Sequence, residues 1–190
     1  MAGLTDSDKK AMLVLARSAI AARLIKGIKI PSLKESVKES GEKRGCFVSL
    51  HKKGSLRGCI GTLEPTLPLA EGIEENAKSA AFHDPRFLPL TREELDQVDI
   101  EISILTEPIS LKFKDGEDLK RQLKAGLHGV ILARGRQRAT FLPQVWDQLP
   151  DKEEFLGELC RKAGMDRFCW KRTDVAVSVY EVVHFSEKKL

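Results

Sequence analysis

Alternate side chains of an extended strand share a face, and in Leu56-Arg57-Gly58-Cys59-Ile60-Gly61 that spacing sets Arg57 and Cys59 side by side. A guanidinium close to a thiol favours the thiolate, and Gly58 and Gly61 leave room for a ligand or a second backbone to approach. The combination suits a reactive or ligand-binding cysteine. It equally suits a small core residue flanked by glycines that serve packing or a bulge.

A second cluster, His83-Asp84-Pro85-Arg86-Phe87, gathers an imidazole, a carboxylate and a guanidinium in one turn at the end of a helical pattern. Beside the hairpin, that turn would offer His83 or Asp84 as a base for Cys59. The plainer alternative has Asp84 capping the turn before Pro85 and pairing with Arg86. Glu64, ahead of Pro65, either adds a carboxylate to the same mouth or marks the turn into the next helix. The catalytic candidates are therefore Cys59, His83 and Asp84, and the ligand-binding candidates are Arg57, Gly58, Gly61, Glu64 and Arg86.

Other chemistries are poorly supplied. There is no C-x-x-C and no H-x-x-x-H, and the four histidines are far apart, so no metal site is expected. A P-loop, a G-x-G-x-x-G fingerprint and a G-x-S-x-G elbow are all missing, and the cofactor stays unknown. Arg134, Arg136 and Arg138 alternate and would form a basic stripe in extended chain. With one tyrosine and two tryptophans to stack on bases, and no recognisable motif, nucleic acid is not an expected partner.

The frame that positions these residues is legible from composition and periodicity. A chain of 190 residues, 42% hydrophobic and 32% charged, suits one large domain or two small interlocked lobes. Thirty-two basic against 28 acidic residues leave +4, spread along the chain, which demands no polyanionic partner. Without a long apolar run or a signal-peptide pattern, the expectation is a cytoplasmic protein that does not enter a membrane. The four cysteines are too sparse for a disulfide-stapled domain and are expected as reduced thiols.

An amphipathic helix is expected over about 6–26, followed by a polar surface connection from Pro31 to Gly45. Residues 46–62 read as a hairpin, 68–82 as a helix, Thr91–Glu94 as a capping box and 98–105 as a half-buried strand. The succession recurs as a hairpin over 128–142, a helix over 151–163 and a final strand over 175–185. The reading is α+β, one domain over 1–190 in two lobes, about 40–110 and 111–190.

Several of these segments carry a resemblance. Gly45-Cys46-Phe47-Val48-Ser49-Leu50, Leu56-Arg57-Gly58-Cys59-Ile60-Gly61, Asp84-Pro85-Arg86-Phe87, Ile100-Glu101-Ile102-Ser103 and Thr140-Phe141-Leu142-Pro143-Gln144-Val145-Trp146 together resemble the AMMECR1 family. The resemblance extends over nearly the whole chain. It implies a duplicated unit of three strands, two helices and a strand on a single barrel-like sheet, with an extra N-terminal helix. It implies no reaction. Its partners would be Memo-like and radical-SAM proteins, as for AmmeMemoRadiSam system protein A, and it points to a ligand or active cleft around Arg57-Gly58-Cys59. The expected function is a component acting with those partners. The alternatives are a non-catalytic module that grips a peptide or small molecule and, more weakly, a nucleic-acid-associated regulator.

Overall fold

A computed structural model describes residues 4–34 and 36–189, and the chain divides into two compact units. One comprises the residues up to Leu105 together with those from Val183 onward, and the other is Thr106–Val182.

The first unit begins with α1 (Asp6–Leu24), opened by a reciprocal capping box between Thr5 and Asp8. Its stripe of Met12, Leu15, Ala16, Ala19 and Ile20 is buried. The polar connection that follows is less superficial than its composition suggests, because Leu33 and Val37 are buried within it. Strands β1 (Cys46–Lys52) and β2 (Ser55–Thr62) form the hairpin. Its two-residue turn places Lys53 and Gly54 at φ 52° and 83°, the left-handed geometry that matches strand twist.

Then come α2 (Leu69–Phe82), α3 (Arg92–Leu95) and β3 (Val98–Leu105), with β8 (Val182–Ser186) arriving from the other end of the sequence. The sheet order is β2-β1-β3-β8. Val48, Leu50, Ile100, Ile102 and Ile104 share a hydrophobic core with the buried faces of α1 and α2. Arg17 of α1 ties the end of the chain to this unit by pairing with Glu187, whose carboxylate also accepts the Ile100 N–H.

The second unit contains β4 (Ile109–Leu111), α4 (Gly116–Gln122), β5 (Gly129–Arg134), β6 (Gln137–Phe141), α5 (Lys152–Lys162) and β7 (Ala176–Tyr180). Its strands order β4-β7-β5-β6, around a core of Val130, Leu132, Phe155, Leu159, Trp170 and Val177.

Two expectations are corrected. The single barrel-like sheet is instead two separate four-stranded sheets, and neither closes. The cause lies in the final strand, which is not continuous over 175–185: it breaks at Glu181, so that Tyr180 ends β7 in one sheet and Val182 begins β8 in the other. Nor are all thiols reduced. The last turn of α5 and the short helical turn Cys169–Lys171 bring the Cys160 and Cys169 Cα atoms to 6.1 Å, and the two are disulfide-bonded. Cys46 and Cys59 are free. No helix among the described residues is long and apolar enough to cross a membrane.

Candidate functional site

Strand β2 is the edge of its sheet, so alternate amides and carbonyls along it point away from β1 and need partners elsewhere. At Cys59 those partners are side chains. The Asp84 carboxylate accepts the Cys59 N–H at 2.9 Å, and Arg86 Nη2 donates to the Cys59 carbonyl at 3.2 Å. Asp84, only 4% exposed, also accepts the Arg86 N–H at 3.1 Å, Arg86 Nε at 2.9 Å and Nη2 at 2.7 Å. The turn after α2 is thus clasped to the strand edge through one carboxylate and one guanidinium. Arg86 foremost, with the Cys59 and Arg86 amides, holds the Asp84 carboxyl well below the usual carboxylate range. With four donors on its oxygens, Asp84 is a positioning group and has no free lone pair aimed at the thiol.

The thiol itself is partly exposed and accepts a hydrogen bond from Ser49 Oγ at 3.2 Å. Ser49 stands directly opposite Cys59 in the hairpin register, and Glu101 stands opposite Ser49 on the next strand. The guanidinium that interacts with Cys59 is that of Arg86, whose pKa is raised first by Asp84 and also by Cys59.

Arg57 is engaged elsewhere. The register passes from Leu50↔Gly58 to His51↔Leu56, leaving Arg57 as an extra residue at a bulge, and a bulge breaks the simple alternation that pairs its side chain with Cys59. It forms a two-point ion pair with Glu94 of α3, Nε to Oε1 at 3.1 Å and Nη2 to Oε2 at 2.8 Å. Lys52 shares that carboxylate at 3.0 Å. Arg57 and Lys52, with the Thr91 amide, hold Glu94 down to about 2. Phe87 lies against both arginines, its ring centroid 5.9 Å from the Arg57 guanidinium carbon and 5.5 Å from that of Arg86.

Gly58 and Gly61 serve packing. A Cβ on Gly58 would sit 2.2 Å from the Ala80 carbonyl oxygen of α2, and one on Gly61 would meet the Phe47 ring at 2.2 Å and the Cys46 oxygen at 2.5 Å. The space beside each is filled by the protein itself. His83 is exposed at the end of α2, and its imidazole makes no hydrogen bond to Cys59 among the described residues. Glu64 is exposed in the turn after β2. In the second unit, Gly135 turns the chain between β5 and β6, so Arg134, Arg136 and Arg138 do not form one extended stripe; Arg134 faces Gln137 and Asp174, while Arg138 stands opposite Ala133. Among the described residues, no group of three or more His, Cys, Asp or Glu side chains is arranged to hold a metal ion.

The structure therefore joins Cys59, Asp84 and Arg86 directly, links Arg57 to Arg86 through Phe87, and leaves His83 outside these contacts. Ser49, Lys52 and Glu94 belong to the arrangement although none was among the catalytic or ligand-binding candidates read from the sequence. Glu94 stood there as the last residue of a capping box, a role it does fill.

Fold and site together define an α+β protein with a half-exposed thiol fixed on a clasped sheet edge. The chain belongs to the AMMECR1 family, whose model matches residues 13–185. It is 39% identical over 189 residues to a protein of Methanothermobacter thermautotrophicus, covering 98% of this chain and 97% of the relative. A protein of Methanocaldococcus jannaschii is 43% identical over 153 residues, covering 77% and 74%. Among solved structures, an uncharacterized protein from Pyrococcus horikoshii superposes with a TM-score of 0.82 at 37% identity, covering 94% of this chain and 90% of that one.

Proposed function

We propose that this chain is a cytoplasmic binding component of a larger assembly, in which the β2 edge carrying Cys59 and Arg57, with Arg86 clasped to it, receives a small ligand or a peptide segment. The Memo-like and radical-SAM proteins to which the resemblance points are the proposed partners. One observation carries the choice of binding over nucleophilic catalysis. Among the described residues, the carboxylate that accepts the Cys59 N–H, that of Asp84, has its oxygens occupied by four donors, so it gives the thiol a rigid mount and is not free to serve it as a base. The similar order of hairpin, helix and strand in the two units supports the further reading that one structural unit occurs twice.

The test is co-purification with the Memo-like and radical-SAM proteins encoded by the same genome. Cys59→Ser is expected to leave assembly intact, whereas Arg57→Ala weakens it several-fold. Full assembly after loss of both Arg57 and Arg86 overturns the binding role. Loss of the complex's activity in Cys59→Ser, with assembly retained, would instead assign Cys59 a chemical step.

A further inference from the structure

We propose that Arg57 and Arg86 form a subsite for an oxyanion, a carboxylate or phosphate group, beside Cys59. This rests on the binding role just described and names the chemical class of its ligand. Both guanidiniums are fixed along the same edge. Glu94 holds Nε and Nη2 of Arg57 at 3.1 and 2.8 Å, and Asp84 holds Nε and Nη2 of Arg86 at 2.9 and 2.7 Å. A guanidinium locked in this way has already lost its rotamer freedom and presents its remaining N–H groups in a set direction.

One of those remaining groups lacks an acceptor. Arg57 Nη1 is buried with no hydrogen-bond partner, while the half-exposed Arg86 side chain holds Asp84 and the Cys59 carbonyl through Nε and Nη2. A buried N–H without an acceptor carries its full desolvation penalty until one arrives, and such groups in folded proteins call for an explanation. Guanidinium nitrogens only donate, so the missing partner is an acceptor. The local charge selects an anion, because Arg57 and Lys52 share the single carboxylate of Glu94 while Asp84 no more than balances Arg86. Phe87 is partly exposed and lies against both guanidiniums, so its ring borders the proposed subsite.

The test uses the isolated full chain with inorganic phosphate and, separately, succinate, at constant ionic strength set by sodium chloride. Saturable binding is expected by calorimetry, with a rise in melting temperature. Arg57→Lys keeps the charge but removes the fork, and is expected to lose affinity by about tenfold or more. Arg136→Gln, in the exposed turn of the β5–β6 hairpin, is expected to bind as the parent does. If Arg57→Lys does not fold, Phe87→Ala and the side-chain nitrogen resonances of Arg57 in the parent protein decide. The expected results are undiminished affinity in the first and a shift on titration in the second. No saturable binding of either anion, equal affinity in Arg57→Lys, or unmoved Arg57 resonances overturn the subsite. Partner co-purification is scored without added anion, so failure of assembly and failure of the subsite are separate results.

Discussion

Replacing Asp84 with asparagine preserves the shape of the clasp and removes its charge, which isolates what the carboxylate contributes. Four donors converge on Asp84, and an amide oxygen satisfies at most two of them while its NH2 group is turned toward another donor. Hydrogen bonds to a charged acceptor contribute about 1.5–3 kcal/mol each when buried. The Arg86 side chain is 54% exposed, so its share is nearer the roughly 0.2–1 kcal/mol of a surface ion pair. The Cys59 amide, left on the sheet edge against a competing donor, accounts for most of the remainder, and the total is about 2–4 kcal/mol. For a chain of this length that corresponds to roughly 5–15 °C in melting temperature. Urea unfolding at pH 7 should show a lower midpoint at unchanged slope, and the Cys59 amide should exchange faster with solvent. Because Asp84 has a depressed pKa in the folded state, its contribution is complete above the ordinary carboxylate range. It is lost progressively as pH falls from that range through its low folded value, so the difference between parent and variant must shrink in acid. A difference at pH 7 below about 0.5 kcal/mol would refute the clasp as the element that holds Cys59 in place.

The thiols should separate cleanly. Iodoacetamide at pH 8 should label Cys59 alone in the native protein; burial pushes Cys46 up to about 11, and Cys160 and Cys169 are bonded to each other, so label at Cys46 before unfolding would contradict the packing. Gly58→Ala forces the strand away from the Ala80 carbonyl and should cost about 1–3 kcal/mol by chemical denaturation, with wild-type stability the refuting result. Glu94, held to about 2 from an ordinary 4.5, stabilises the fold fully above its ordinary value and loses that contribution between the two as pH falls. Glu94→Gln should therefore be less stable than the parent at pH 6 and lose less on acidification; parallel acid-unfolding curves would exclude the Arg57–Glu94 pair as a stabilising contact.

Features decided within a few residues were legible in the sequence, and features decided across the chain were not. The α2 boundaries, the Thr91–Glu94 cap and the alternation of Ile100, Ile102 and Ile104 follow from local periodicity and side-chain capping, and they stand as read. So does the pairing of Asp84 with Arg86, two residues apart. The Ser49–Cys59 contact escapes such reading for a definable reason: counting back from the two-residue turn sets Ser49 opposite Gly58, and only the bulge at Arg57 shifts the register by one. The Arg57–Glu94 pair needs α3 placed against β2, which no local pattern specifies. The split of 175–185 into two strands turned on Glu181, a single polar residue in a run that otherwise alternates well enough to pass for one strand. Cys160 and Cys169 were sparse by composition, yet a helix end followed by a tight turn brought them together.

The passage of β8 back to the first sheet has a consequence for how this protein is made. On the ribosome, β1, β2 and β3 are available long before Val182–Ser186, with all of Thr106–Val182 synthesised in between. Throughout that interval the outer side of β3 presents unpaired amides and carbonyls that the finished protein reserves for β8. The nascent first unit is thus a sheet with one sticky border, sealed only when the chain returns and Arg17 grips Glu187. Early release of the chain after Val182 would leave that border open, and aggregation of the truncated product, rather than a smaller stable protein, is the outcome this topology dictates.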